Sequence, residues 1–200
     1  MRIVIGEDQA LFRQALMRLL VDAGHDVVGA AEDGPGLLRR AQAERPELVI
    51  ADVRMPPTQR DEGLRAARQI RAAAPDTAVL VISHHLQVRY AVELLARDAR
   101  GVGYLLKQRM ANVDRFLAAL ETIRAGGTVI DAEVVAAMLG RLRRTAVTAG
   151  ERELLDWIAD DRTDASIAAS LMVSEAEAAR RVTVALAALG ASAGDAARGG

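Results

Sequence analysis

The chain has no cysteine, and only two phenylalanines, two tyrosines and one tryptophan among its 200 residues. The first absence excludes a disulfide framework and thiolate metal sites, and it fits a reducing compartment. The second leaves a core of Ala, Val, Leu and Ile. No apolar run is long enough to cross a bilayer. Met1-Arg2 leads straight into a strand-like run and then acids, which is unlike a signal peptide. These absences lead to the expectation of a cytoplasmic protein with no membrane partner. A net charge of -1 points to no particular partner. Lysine is almost missing too: Lys107 stands alone among many arginines. An ammonium and a guanidinium are not interchangeable at a tight site, so Lys107 is a candidate for a specific role, although composition alone is compatible with chance.

What is present centres on Leu48-Val49-Ile50-Ala51-Asp52-Val53-Arg54-Met55-Pro56-Pro57. A short apolar run stopped by turn chemistry reads as a buried parallel strand, and Asp52 falls at its carboxyl end. Open α/β sheets hold their ligands there. Similar runs occur at Ile3–Ile5, Val27–Ala31, Ala78–Ile82 and Val102–Leu106, separated by segments with helical spacing. Asp8 is a plausible N-cap for the first of those helices. Five β-α units in about 124 residues imply a five-stranded, doubly wound parallel sheet covered on both faces, an α/β domain over residues 1–124 whose strand order one sequence does not give. Glu7, Asp8, Asp52, Ser83 and Lys107 then all lie along one rim of the sheet.

Residues 125–147 read as a linker with a helix from about Ala132 to Arg144, carrying Arg141, Arg143 and Arg144. From Thr148 the pattern changes to short helices. Thr148–Glu151 and Ser174–Glu177 each have the spacing of a capping box. Three amphipathic helices over 148–190, two of them joined by Met172-Val173-Ser174, make a small all-α helix-turn-helix domain. Gly190 reads as the stop of the last helix, and residues 191–200 as a disordered tail.

Three acids on one rim suit a hard divalent cation such as Mg2+, with Asp8 and Asp52 as direct ligands and Glu7 orienting a bound water in the outer shell. A carboxylate can also accept a phosphoryl group, whose charge then needs cations and donors. Mg2+, Lys107 and the Ser83 hydroxyl would supply them. His84-His85 read as loop residues, since no cysteine or further histidine is placed to join them in a metal site.

With Glu7-Asp8, Asp52 followed by Val-Arg-Met-Pro, Ser83, and Gly-Tyr-Leu-Leu-Lys107, residues 1 to about 124 resemble the receiver domain of two-component response regulators. The whole chain is similar to the NarL/FixJ type, in which a receiver precedes a LuxR-type helix-turn-helix. The resemblance implies phosphotransfer to Asp52 from a sensor histidine kinase and Mg2+ held by Asp8, Asp52 and the backbone carbonyl of Arg54. It makes Ser83 and Tyr104 the switch pair. It further implies a transcription regulator rather than an enzyme, binding promoter DNA as a homodimer, while the receiver supports its own phosphoryl transfer and dephosphorylation. Ser174, Glu177, Arg180, Arg181 and Val184 are the candidate DNA-contacting positions.

The recognition segment departs from that family. Glu177 stands in place of a usual threonine and Val184 in place of a usual asparagine. From Thr148 onward there are five arginines against nine acids, a poor balance for neutralising phosphates. An alternative is therefore an atypical regulator that acts through protein contacts. An aspartate-nucleophile phosphatase ranks low because Arg54 occupies the position of its second aspartate. A dinucleotide-binding oxidoreductase ranks lower, because Gly101-Val-Gly103 lacks the third glycine and precedes a strand.

Overall fold

The computed structural model of the chain describes residues 1–95, 98–140 and 147–198. Strands and helices alternate as β1 (Arg2–Gly6), α1 (Ala10–Asp22), β2 (Asp26–Ala31), α2 (Gly34–Glu44), β3 (Leu48–Asp52), α3 (Glu62–Ala73), β4 (Ala78–Ser83), α4 (Val88–Leu95) and β5 (Val102–Leu106). A 3₁₀ turn (Lys107–Ala111), α5 (Val113–Arg124), β6 (Thr128–Ile130) and α6 (Ala132–Leu139) come next. Three helices complete the described chain: α7 (Ala149–Ala159), α8 (Asp164–Leu171) and α9 (Glu175–Arg198). None of the described helices is long and apolar enough to cross a membrane.

All strands are parallel, in the order β2-β1-β3-β4-β5-β6. The first five follow the flavodoxin-like doubly wound order. The sixth corrects the expectation of five strands and of a linker starting at 125. Thr128–Ile130 pairs with Val102–Tyr104, so the sheet continues past residue 124. Without it β5 would be an edge with unpaired backbone groups. The turn is fixed from below: Gly101 N–H donates to the Gly127 carbonyl at 3.0 Å, and the Thr128 hydroxyl donates to the Ala99 carbonyl. A three-residue strand is too short to show a period of two.

Strict alternation along the strands builds a core on each face. Ile3, Ile5, Leu48, Ile50, Leu80 and Ile82 pack with Leu16 and Leu20 of α1 and with Phe116, Leu120 and Ile123 of α5. Val4, Val49, Ala51, Val79 and Val81 point the other way, into a core shared with α2, α3 and α4. That second core runs without interruption into α6 and the C-terminal helices, through Val135, Leu155, Val182, Leu186 and Leu189. The last helices thus share their apolar surface with the sheet domain.

Several helix starts carry a side-chain cap, among them the expected one at Thr148. Asp33 accepts from Gly36 N–H, Asn112 from Arg115 N–H, and Thr148–Glu151 forms a full capping box. Two expectations fail. Asp8 does not cap α1; the cap position is Gln9, without a side-chain cap, because the Asp8 carboxylate is bonded elsewhere. Gly190 does not stop the last helix, which runs through it to Arg198, so no disordered tail begins at 191. A Cβ at Gly190 would lie 2.7 Å from Leu95 Cβ. The glycine lets α9 press against α4, and the alanines after it favour the helix. The arginines at 141, 143 and 144, together with residues 96–97 and 199–200, lie outside the described residues.

Candidate functional site

β1 and β3 are adjacent, yet the helices that follow them cover opposite faces of the sheet. Such a switch point leaves a crevice at the strands' carboxyl ends. Glu7 and Asp8 leave β1 there, Asp52 is the last residue of β3, Ser83 the last of β4, and Lys107 the first after β5. Carboxylate oxygens of Glu7, Asp8 and Asp52 all lie within 4.8 Å of one another.

Lys107 enters the crevice from the far side. Its Nζ is 2.7 Å from Glu7 Oε2 and 3.4 Å from Asp52 Oδ1, and all three side chains are buried. The ammonium also lies 4.4 Å above the ring centre of Phe12, a cation–π contact. Glu7 accepts from Gln9 N–H through its other oxygen at 3.2 Å, so both its oxygens are engaged by the chain itself. Asp8 Oδ2 accepts from Gln59 Nε2 at 2.8 Å. Asp52 has no such saturation. Burial pushes its carboxyl up from the usual 3.8 to about 6; Lys107 opposes this, while Glu7 and Asp8 add to it. Three crowded hard oxygen donors, one of them strained in its charged form, fit a Mg2+-sized cation.

Residues that the sequence alone did not single out hold this geometry. Arg13 reaches back from α1 to the carbonyls of Glu7 and Asp8 and pairs with Glu32. Glu62 is buried and straps the loop after β3, accepting from Thr58 N–H, the Thr58 hydroxyl and Arg60 N–H. Burial would raise its pKa, but those hydrogen bonds outweigh it and hold it low. At Gly63 a Cβ would stand 1.7 Å from the Asp52 carbonyl oxygen. Only glycine lets α3 start so close to the end of β3.

Ser83 and Tyr104 are placed differently from the acids. Ser83 Oγ donates to the His85 carbonyl at 2.8 Å, closing its own loop. Tyr104 is completely buried and, among the described residues, no group meets its hydroxyl in hydrogen-bond geometry. Burial raises its pKa, with Ser83 and the Gln87 backbone near enough to oppose the shift. His84 is exposed, its Nε2 3.4 Å from the Gln9 amide nitrogen.

Residues 3–121 match the response regulator receiver domain. The probable transcriptional regulatory protein NarL of Mycobacterium tuberculosis is 32% identical over 180 residues, covering 86% of this chain and 80% of that protein. The chain belongs to the response regulators of the NarL/FixJ type. Among solved structures, the signal receiver domain of Mycobacterium tuberculosis NarL is 32% identical with a TM-score of 0.50, covering 60% of this chain and 95% of that one. A structure of two RcsB dimers bound to two parallel DNAs aligns at a TM-score of 0.58 over 95% of this chain and 92% of that one. At 23% identity the second likeness is one of fold.

In this response regulator α8 and α9 meet at Met172, a left-handed residue (φ 54) that is 91% exposed. Ser174 Oγ accepts from Glu177 N–H at 3.3 Å, which is half of the expected capping box. The other half is missing because the Glu177 carboxylate turns outward and pairs with both Arg180 and Arg181. Those pairs hold its pKa low, Arg181 contributing most. Val184 is exposed beside them.

The outward face of α9 looks back at the receiver. Arg180, Thr183 and Val184 share a cavity of about 670 Å³ with Asp98, Arg100 and Gly126. On the other side of α8, Asp161 pairs with Arg115 and, at 3.6 Å, with Arg109 of the receiver. Thr122 donates to Asp164 at 3.4 Å. The α7–α8 turn is thereby latched along α5, through Arg115 in its first turn and Thr122 near its end.

Proposed function

We propose that the protein is a two-component transcription regulator that takes a phosphoryl group on Asp52 from a sensor histidine kinase and passes the signal to its C-terminal helices. The observation that carries this reading is the set of buried Glu7, Asp52 and Lys107 with half-buried Asp8 beside them on one sheet rim. A cation there neutralises the crowded carboxylates when bound, with Asp8, Asp52 and the Arg54 carbonyl as its holders. Glu7, with both oxygens already bonded, suits an outer position. Asp52 offers the most strained oxygen, and its raised pKa reflects a carboxylate that gains from a new cationic partner. Lys107, held by Glu7 and Phe12, can turn from Asp52 to a phosphoryl oxygen without leaving the crevice. Ser83 has to give up its bond to the His85 carbonyl to donate to that group. Tyr104, buried with an unmet hydroxyl, gains a partner if the Ser83 loop shifts.

The helical region binds promoter DNA once it leaves the arrangement seen here; the fold neighbour RcsB has been solved in a complex with DNA. A recognition helix must enter a groove about 12 Å wide, and the exposed face bearing Arg180 and Val184 borders an open cavity of about 670 Å³ lined also by Asp98, Arg100 and Gly126 of the receiver. A duplex seated on that face would lie against those receiver residues. A second reading, regulation through protein contacts, draws on Glu177, which occupies both exposed arginines of that face.

The test is phosphorylation of the full chain by a small phosphoryl donor with Mg2+, located by mass spectrometry, followed by anisotropy on promoter DNA. Modification of wild type and not of Asp52→Asn, with tighter DNA binding after modification, is the expected result. Equal labelling of the Asp52→Asn protein would refute the site.

A further inference from the structure

Gln59 has no assigned part in the rim chemistry, yet it is built into it. Its amide Nε2 donates to Asp8 Oδ2 at 2.8 Å. Its backbone holds a left-handed φ of 58, uncommon for a residue with a side chain. The chain on both sides of it is fastened: Gln59 N–H donates to the Met55 carbonyl at 3.1 Å, and buried Glu62 accepts from Thr58 N–H at 3.2 Å and Arg60 N–H at 2.9 Å. A strained residue held between two fastened neighbours points to a use for its side chain.

We infer that Gln59 is an internal competitor for the divalent cation: its amide occupies Asp8 Oδ2 in the cation-free protein and has to leave before that oxygen can serve as a ligand. The inference rests on Asp8 and Asp52 being the cation's holders. The chemistry is direct. An amide N–H and a divalent cation both seek the same carboxylate lone pairs, and they cannot share one oxygen in the same direction. The hydrogen bond stabilises the cation-free state only, so it weakens cation binding by its own strength. A charge-assisted bond at an exposed site, broken in exchange for water, is worth a fraction of its buried value. Loss of the amide is expected to tighten binding about fivefold, equivalent to ~1 kcal/mol. The same exchange has a mechanical side. Cation entry releases the tip of the loop after β3 from the β1 side of the crevice, leaving it held by Glu62, by the Met55 carbonyl and by the Tyr90 hydroxyl on the Arg60 carbonyl.

The experiment is a calorimetric Mg2+ titration of the full chain as wild type, Gln59→Ala and Gln59→Gly. Glycine accepts the left-handed backbone freely, so agreement between the two variants assigns the effect to the amide and not to backbone strain. Both variants are expected to bind Mg2+ about fivefold more tightly than wild type, with amide exchange at residues 58–60 made faster by Mg2+ only in wild type. Unchanged affinity in both overturns the competitor role, as does tightening in Gln59→Gly alone. Weaker binding in both overturns it in favour of Gln59 as a contributor to the cation site. Absence of Mg2+ binding by all three proteins overturns the cation site itself, and with it the reading on which this inference stands.

Discussion

The Lys107 ammonium is closer to Glu7 than to Asp52, 2.7 Å against 3.4 Å. The residue that is to receive a phosphoryl group is therefore the less compensated of the two. Its carboxyl sits at about 6, raised from 3.8 first by burial. Between those values the folded chain holds a proton that the unfolded chain has lost, so stability falls as pH rises through that window and the penalty is complete above it. Asn resembles the neutral acid. Asp52→Asn is expected to make the cation-free protein ~2 kcal/mol more stable at pH 7.5, with the gain vanishing by about pH 4. Denaturant melts across pH in a chelating buffer check it; a constant or absent gain contradicts it. Mg2+ is expected to stabilise wild type more than the variant.

Lys107→Arg keeps the charge but replaces a compact ammonium with a broad fork. The position is buried between Glu7, Asp52 and the Phe12 ring, so the larger group overpacks it, at a cost of ~1–3 kcal/mol. The variant is expected to be labelled at Asp52 but to show no change in DNA affinity on phosphorylation. A wild-type response in anisotropy would show that the ammonium's shape is immaterial.

Gly63→Ala places a methyl 1.7 Å from the Asp52 carbonyl oxygen, and that atom is backbone. Either α3 retreats or β3 loses its last residue. The expected outcome is destabilisation by at least ~3 kcal/mol, with Mg2+ affinity lost even where the variant remains folded at low temperature. Gly150→Ala, where a Cβ meets nothing within 4 Å, serves as the control.

These contacts mark where the sequence ceases to be legible. Asp8, Asp52, Ser83 and Lys107 could be placed on one rim because strand ends are local events, visible as apolar runs ending in polar residues. The roles of Arg13, Gln59, Glu62 and Gly63 depend on how a loop folds back, which no periodicity records. Gly63 alone left a trace, as a glycine in a first helical turn where propensity disfavours it. β6 escaped because three residues carry no pattern, and Gly190 misled because glycine serves close helix packing as readily as termination. The shared core through Leu186 and Leu189 was also hidden: an apolar stripe shows that a helix is covered, not by what.

Arg115→Ala removes one of two partners that the receiver offers Asp161. The pair is half exposed, so its loss changes global stability by ~1 kcal/mol or less. Its effect is expected in local opening: amide exchange in α7, α8 and the first turns of α9 speeds up while β3 and β4 stay protected. High salt should act on wild type as the mutation does. Uniform acceleration across the chain would mean that the latch is part of the global fold.

Glu177 decides how much positive charge α9 can offer to phosphate. Its two carboxylate oxygens hold Arg180 and Arg181, so among the described residues the face that should meet DNA has no unpaired cation next to its N-terminal turn. Glu177→Gln removes one negative charge and frees two positive ones. Ser174 still caps the helix through Glu177 N–H, a bond that the substitution does not touch, so folding is expected to be unchanged. With each phosphate contact contributing about 0.9 to the slope of log affinity against log salt, two freed arginines should steepen that slope by nearly 2 and tighten binding at low salt. The measurement is anisotropy of the phosphorylated full chain on promoter DNA from low to moderate salt, wild type against variant. A variant that binds with the wild-type slope would mean that neither arginine reaches a phosphate, and the protein-contact reading of the helical region would then gain over DNA binding.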